Sequence, residues 1–196
     1  VLEQEDMLVQ TDDPGARNRK TLFENIAKMP LTRFNDADLL VNGQATFDAI
    51  IDRISEAENY VLVQFYIMRA DGLGNRLKDA LIAKAEAGVR VYMMYDALGS
   101  YGLPNSYIQE LESAGVKTAA FSTTRGLRNR FRLNFRNHRK IVVVDGKEAF
   151  VGGHNVGDEY LGKHETLTPW RDTHVAVRGP VVLEAQVSFV EDWLWA

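Results

Sequence analysis

Residues 137–155 read NHRKIVVVDGKEAFVGGHN, and this stretch indicates both a fold and a chemistry. Ile141–Val144 is an unbroken run of β-branched apolar residues, which is typical of a strand buried on both faces. Asp145 and Gly146 then turn the chain, and residues 147–151 form the returning strand. We therefore predict a β-hairpin with a buried first strand.

Potential catalytic side chains flank this hairpin. His138 and Lys140 precede the first strand, and side chains two apart in an extended chain lie on one face, roughly 6 to 7 Å apart. The pair can therefore flank one phosphate-sized group. Gly152 and Gly153 end the second strand with backbone that an anion can approach, and the Asn155 amide can donate to a phosphate oxygen. The pattern predicts a site for phosphoryl chemistry.

The spacing of these residues resembles the HKD signature of the phospholipase D superfamily. The pattern is His-x-Lys, four residues, Asp, six residues, then Gly-Gly-x-Asn, and it is matched by His138, Lys140, Asp145, Gly152, Gly153 and Asn155. The flanking residues 134–162 and the later WRDTHVAVRGP at 170–180 are most similar to the first catalytic domain of bacterial cardiolipin synthases. The similarity runs from about residue 40 to the end of the chain.

Length and composition suit a globular domain. The chain has 196 residues, 45% of them hydrophobic and 26% charged, which allows one domain with a sizeable core. It has no cysteine, which excludes a disulfide scaffold and a thiolate metal site. No apolar run approaches the roughly 18 residues of a membrane span, so we expect the chain as given to be soluble. The net charge of −4 argues against general polyanion binding.

Alternating helical and strand patterns predict an α/β fold. We expect a single domain with a mixed, mostly parallel sheet covered by helices on both faces, the phospholipase D-like half that the resemblance implies. Residues 1–38 form a peripheral N-terminal segment, and residues 39–196 form the catalytic domain with one HKD motif. Predicted helices cover residues 22–29, 44–58, 72–87, 105–114 and 181–195, and predicted strands cover residues 60–68, 89–95, 116–121, 141–144, 147–151 and 173–177.

Four aspartates require separate interpretations. Asp71 and Asp96 follow predicted strands, and turn formation or helix capping is the favoured explanation for both. Asp145 lies seven residues beyond His138, roughly 20 Å along a strand and on the opposite face, so we interpret it as the residue that fixes the hairpin turn. The resemblance makes Asp172 the carboxylate behind the nucleophile.

A basic stretch precedes the HKD residues. No acidic residue occurs between Ser113 and Val144, whereas eight lysines and arginines do: Lys117, Arg125, Arg128, Arg130, Arg132, Arg136, Arg139 and Lys140. Such a stretch can attract anionic lipid headgroups, pair with acidic helices of the same protein, or follow a nucleic-acid backbone. The sequence alone does not separate these three interpretations.

The resemblance implies a mechanism in two displacements at phosphorus. His138 would form a phosphohistidine with a diester, Lys140 would stabilise the phosphate oxygens, and a second alcohol or water would release the phosphoryl group. A second histidine must act as acid and then base, so one HKD motif supplies half a site. No cofactor and no metal are required. The other half would come from a second HKD domain or a homodimer partner, and we expect the chain to be a fragment of a membrane-associated bacterial protein.

Three functions remain open. The first is a cardiolipin synthase module that transfers a phosphatidyl group between phosphatidylglycerol molecules at a membrane surface. The second is a homodimeric phosphodiesterase or nuclease, although we expect nucleic acid to be an improbable partner. The third is a non-catalytic module that binds anionic lipid. The other histidines, His154, His164 and His174, have no assigned role and make no convincing metal site.

Overall fold

A computed structural model describes residues 4–121 and 137–196, with the backbone alone described for residues 4 and 5. Its strands are β1 (Asp36–Val41), β2 (Tyr60–Phe65), β3 (Arg90–Asp96), β4 (Lys117–Phe121), β5 (Ile141–Val144), β6 (Glu148–Gly152) and β7 (Thr173–Arg178). Its α-helices are α1 (Pro14–Ala27), α2 (Asn42–Ser55), α3 (Gly72–Glu86), α4 (Asn105–Ser113) and α5 (Val181–Trp195), with single 3₁₀ turns at Gln4–Met7 and Asp158–Leu161.

The strands form one mixed sheet in the order β1-β7-β6-β5-β2-β3-β4. Helices α3 and α4 connect β2, β3 and β4, which are parallel, as crossover connections require. The pairs β1–β7, β7–β6, β6–β5 and β5–β2 are antiparallel. The α/β class is confirmed, but the expectation of a mostly parallel sheet is wrong. The tight turn between β5 and β6 allows only antiparallel pairing, and β7 and β1 extend that half of the sheet.

Helices cover both faces of the sheet, as predicted. Helices α2, α3 and α4 pack on one face, where Phe47, Leu77 and Leu111 are fully or almost fully buried. Helix α5 covers the other face through Val182 and Phe189. The two faces draw alternate residues from β5, whose four residues are all buried. This explains the unbroken apolar run in the sequence, because a strand covered on both sides has no solvent-facing positions.

The N-terminal residues lie outside these two cores. Helix α1 begins at Pro14, earlier than predicted, because the Asp13 carboxylate accepts hydrogen bonds from the backbone N–H groups of Gly15 and Ala16 and so caps the helix. None of its residues is buried. Strand β1 was not predicted, and it is a mostly exposed edge strand that begins within the segment we set apart as residues 1–38. In the part of the chain that the structure describes, no helix combines the length and apolarity needed to cross a bilayer.

Candidate active site

His138 and Lys140 lie side by side just before β5. The Lys140 Nζ is 2.7 Å from the His138 Nδ1 and donates a second hydrogen bond of 2.7 Å to the His138 carbonyl oxygen. His138 is exposed, whereas Lys140 is buried, with only 3% of its surface exposed. The structure therefore brings this predicted pair together, with the nucleophile candidate facing solvent and the cation beneath it.

Two carboxylates hold the residue that precedes the histidine. Asp96, at the end of β3, accepts a hydrogen bond of 3.2 Å from the Asn137 backbone N–H. Asp192, on α5, accepts one of 2.6 Å from the Asn137 side-chain amide and one of 2.5 Å from the Arg139 guanidinium. Gln64 of β2 donates a further bond to Asp192. Three distant elements thus fix the backbone that carries His138.

Tyr66 supplies an aromatic wall that the sequence analysis missed. Its ring centroid is 4.6 Å from that of His138, and the Lys140 Nζ lies 5.6 Å from the Tyr66 centroid. Gly99 allows this placement, because a side-chain carbon there would overlap the Tyr66 carbonyl. The position directly after a buried strand was the available signal, since side chains at strand ends commonly line sites.

The surroundings favour a neutral histidine beside a weakened lysine. Partial desolvation of the ring lowers the pKa of His138, the Lys140 charge lowers it further, and Asp96 partly opposes both. Burial also lowers the pKa of Lys140 to about 8, against the opposing charge of Asp172. At neutral pH the imidazole is therefore uncharged and able to act as a nucleophile, while most of the lysine remains an ammonium.

Gly152 and Gly153 fit closely against β7 and the residue before it. A side-chain carbon on Gly152 would overlap the His174 ring, and one on Gly153 would overlap the Asp172 carboxylate. The glycines are therefore required by packing, whatever they do for a phosphate. Their role in phosphate binding remains a prediction.

Asp172 acts on Lys140 through its charge and does not contact His138 by a hydrogen bond in the described residues. Its Oδ1 accepts a hydrogen bond of 2.7 Å from the Thr173 backbone N–H, and its charge acts on the pKa of Lys140. Across residues 4–121 and 137–196, no hydrogen bond joins Asp172 to His138. Its assignment as the carboxylate behind the nucleophile stays a prediction.

Asn155 is buried and directed into the protein. Its Oδ1 accepts a hydrogen bond of 3.1 Å from the Ile67 backbone N–H, and its Nδ2 donates one of 3.0 Å to the Tyr160 hydroxyl. These contacts tie the end of β2 to the turn after β6. The structure does not place this amide beside His138, and its predicted contact with a phosphate oxygen remains untested.

The carboxylate of Asp145 lies at the opposite end of β5. It accepts hydrogen bonds from the backbone N–H groups of Glu58, Asn59 and Tyr60, at 2.9, 2.8 and 2.9 Å. These contacts join the β5–β6 turn to the loop before β2, and they support the interpretation of Asp145 as a residue that fixes the hairpin.

Asp71 and Asp96 both make the local contacts that we favoured for them. Asp71 caps α3 by accepting from the Gly74 backbone N–H. Asp96 accepts from the Leu98 and Gly99 backbone N–H groups in the turn after β3. Asp96 also accepts a hydrogen bond from the Asn137 backbone, as described above. The sequence analysis predicted its local contacts but missed this distant one.

Two of the unassigned histidines form a buried pair. His154 and His174 are 0% and 1% exposed, and their Nδ1 atoms are 3.1 Å apart. Burial lowers the pKa of His174 to about 3, and the charges of His154 and Lys140 lower it further. His164 instead lies in an exposed turn with Thr166. In the described residues, no three histidine, cysteine, aspartate or glutamate side chains converge as a metal site would require.

The basic stretch falls largely outside the described residues. Arg125, Arg128, Arg130, Arg132 and Arg136 lie outside the described residues. Of the rest, Lys117 is on β4, with its Nζ 5.2 Å from the centroid of the Tyr92 ring. Arg139 pairs with Asp192, as described above.

Comparison with known proteins gives a consistent result. The family model described as cardiolipin synthase, PLD-like (phospholipase D-like) domain matches residues 50–193. Cardiolipin synthase A of Pseudomonas putida (strain GB-1) is 57% identical over 171 residues, which are 87% of this chain and 36% of that protein. The chain thus spans about a third of the length of the curated relatives it matches.

Solved structures share the fold at low sequence identity. NucT from Helicobacter pylori superimposes with a TM-score of 0.63 at 16% identity, covering 81% of this chain and 96% of that one. Phosphatidylserine synthase from Haemophilus influenzae gives 0.61 at 18% identity, covering 82% and 37%. With the family model matching most of the chain and His138 and Lys140 in contact just before β5, the chain belongs to the PLD-like domain family of cardiolipin synthases.

Proposed function

We propose that this chain is the phosphatidyltransferase module of a cardiolipin synthase, and that it works through a phosphohistidine at His138. The observation that carries the proposal is the exposed imidazole of His138 with the buried Lys140 ammonium 2.7 Å from its Nδ1. A nucleophile needs a free lone pair, and the developing phosphorane needs a fixed positive charge. Lys140 supplies the charge, and the His138 ring supplies the lone pair once the lysine binds the phosphate instead of the ring.

The hydrogen bond within the pair has a consequence for the first step. An ammonium has only donors, so the His138 Nδ1 must accept, and the ring proton is then on Nε2. A phosphate oxygen that binds the Lys140 ammonium would draw it from the ring. The ring proton could then move to Nδ1, which would leave the Nε2 lone pair free for attack on phosphorus.

The reaction then needs two displacements. The imidazole nitrogen bonds to phosphorus as the bond to one phosphatidylglycerol's glycerol oxygen breaks, and an acid must protonate that leaving oxygen. The terminal hydroxyl of a second phosphatidylglycerol then attacks phosphorus, loses its proton to the same group, and regenerates the histidine. We assign that acid and base to a second HKD half, from a further domain or a second copy of the chain.

The predicted supporting residues keep their proposed roles. Asp172 would act through its charge on Lys140, and Gly152, Gly153 and Asn155 would shape the phosphate pocket. Because phosphatidylglycerol resides in bilayers, we propose that the complete protein works at the cell membrane.

The test compares His138→Ala with His164→Ala in a protein that joins this chain to a second HKD half. Conversion of phosphatidylglycerol into cardiolipin and free glycerol is followed by mass spectrometry. We expect the first variant to lose at least about 10³-fold in rate, because no other group replaces the nucleophile. The second removes an exposed histidine and should behave as wild type. Turnover by His138→Ala within a few-fold of wild type would refute the proposal.

The alternative function, a homodimeric phosphodiesterase, predicts different results. The chain alone would then be a dimer by light scattering and would cleave single-stranded DNA, with little transfer between lipids. Inactivity of the isolated chain on both substrates, restored on lipid by the second half, supports the half-site proposal.

A further inference from the structure

An apolar cleft opens beside the HKD residues on the face of the sheet that α5 covers. It has a volume of about 500 Å³. His138, Arg139 and Lys140 line one end of it, and the walls include Val151, Val177, Val181 and Ala185. The predicted mechanism uses the charged end but gives no task to the apolar walls.

A second apolar cavity continues from the first. It has a volume of about 350 Å³ and is lined by residues of the N-terminal segment, including Leu8 and Pro30, and by Leu183 and Val187 of α5. Met29 and Glu184 line both cavities, so the two adjoin. We call the combined space the α5 groove. It leads from the nucleophile, along α5, to the segment that follows α1.

The walls of the α5 groove leave apolar surface in contact with water. Leu183 is 62% exposed and Val187 is 37% exposed. Contiguous apolar surface of this kind commonly marks a binding site, because covering it removes unfavourable contact with water. An apolar ligand would therefore gain from lying along α5.

The groove has the polarity of a phospholipid. Arg139 and Lys140 lie at the end nearest His138, where a phosphate would sit. Apolar side chains dominate the lining farther along, which also includes Lys28. Glu184 lies between these two parts, and burial raises the pKa of its carboxyl, so this region disfavours negative charge. An anionic headgroup is therefore directed to the HKD end and an apolar tail away from it.

From this continuity we infer that the α5 groove binds one acyl chain of the phospholipid whose phosphate lies at His138 and Lys140. The inference rests on the proposed function and adds to it the site that receives the lipid tail. It assigns Val187, Leu183 and Met29 to substrate binding. Since burial of each methylene contributes about a fourfold factor in affinity, binding should tighten with chain length until the groove is filled.

The experiment measures binding rather than turnover, so that it does not depend on the second HKD half. Dibutanoyl-, dihexanoyl- and dioctanoyl-phosphatidylglycerol are titrated into the 196-residue chain by calorimetry, each below the concentration at which it forms micelles. Glycerophosphoglycerol, which has no acyl chain, is the reference. We expect Kd to fall about tenfold or more from the dihexanoyl to the dioctanoyl lipid, since one chain gains two methylenes.

Two matched variants locate the effect on α5. Val187→Asp places a carboxylate in the groove, whereas Val190→Asp makes the same change three residues later at a similar exposure of 41%. The first should reduce the chain-length dependence at least about fivefold, and the second should leave it unchanged. Ser188→Phe, which fills the first cavity from α5, should also weaken the dioctanoyl lipid selectively. It provides a second measurement if Val187→Asp does not fold.

The outcomes separate the two proposals. Equal affinity for all three lipids, or an equal loss in both aspartate variants, overturns the groove assignment. Chain-length-dependent binding that both Val187→Asp and Ser188→Phe abolish supports it. If such binding occurs but the complete protein transfers no phosphatidyl group, the proposed function fails while the lipid-tail site stands.

Discussion

Replacing Asp145 tests whether the aspartate of the HKD motif is structural. Its carboxylate accepts three backbone hydrogen bonds, two through Oδ1 from Asn59 and Tyr60 and one through Oδ2 from Glu58. A hydrogen bond to a charged group contributes about 1.5 to 3 kcal/mol, and less where water can replace it. Two of the donors are exposed and the Tyr60 donor is half-buried, so we take about 3 kcal/mol for the set.

The conformation of the residue adds a second contribution. Asp145 has φ of 54°, in the left-handed region, where aspartate and asparagine are tolerated and alanine costs about 1 kcal/mol more. Asp145→Ala should therefore lower the free energy of unfolding by about 4 kcal/mol. Asp145→Asn keeps one oxygen acceptor and the backbone conformation, so it should cost about 1 to 2 kcal/mol.

Urea and thermal unfolding of the chain would measure these changes. For a domain of this size, 1 kcal/mol corresponds to about 2 to 4 °C in Tm, so Asp145→Ala should unfold about 8 to 16 °C below wild type. Asp52→Asn, a change at an exposed carboxylate on α2, is the control. An Asp145→Ala protein as stable as wild type, but inactive when joined to a second half, would refute the structural assignment.

The stability that the Asp145 carboxylate contributes should also depend on pH. Although burial favours the protonated form, the three backbone donors and Lys147 hold the pKa of Asp145 below its ordinary value. Its contribution to stability is then fully present above the unfolded-state pKa of about 3.9 and is lost as the pH falls through the lower folded-state value. The stability difference between wild type and Asp145→Asn should therefore shrink below about pH 4.

Three further predictions concern the site. Asp192→Asn removes the charge that binds the Asn137 and Arg139 side chains on either side of His138. If His138 is the nucleophile, this variant should lower kcat about tenfold at an unchanged KM in steady-state assays of the two-half protein. Because burial lowers the pKa of Lys140 to about 8 and the proposed role requires its charged form, kcat/KM should decline as the pH rises above about 8. An active Lys140→Arg variant should not show this decline. Gly153→Ala should lower stability by about 1 to 3 kcal/mol in thermal unfolding, since the added carbon overlaps Asp172, whereas Gly102→Ala, where nothing lies within 4 Å, should not.

Local patterns in the sequence predicted most elements of the fold. Helix α5 and strand β5 have the predicted bounds, because an apolar stripe and an apolar β-branched run each mark their own element. The adjacency of His138 and Lys140 also followed from local geometry, since it depends only on residues two apart in an extended chain. Features that depend on a few neighbouring residues were thus accessible.

Features that depend on residues far apart in the sequence could not be predicted in this way. Strand β1 lies at an edge and is largely exposed, so it lacks the apolar alternation that reveals a strand, and its pairing with β7 was invisible. The contact of Asp192 with Asn137 spans 55 residues. In the sequence, Asp192 is simply an acidic residue in the last turn of an apolar helix, and nothing there indicates its partner. The inward direction of Asn155 likewise depends on the Ile67 backbone and on Tyr160.

The hydrogen bonds from Asn137 to Asp96 and Asp192 bear on when the backbone around His138 becomes ordered during folding. Those partners are 41 and 55 residues away along the chain, one before the histidine on β3 and one after it on α5. During synthesis the HKD segment therefore emerges before the helix that will secure it. We expect the contact between Asp192 and Asn137 to form only once α5 has docked, so the backbone beside His138 becomes fully held late in the folding of this domain.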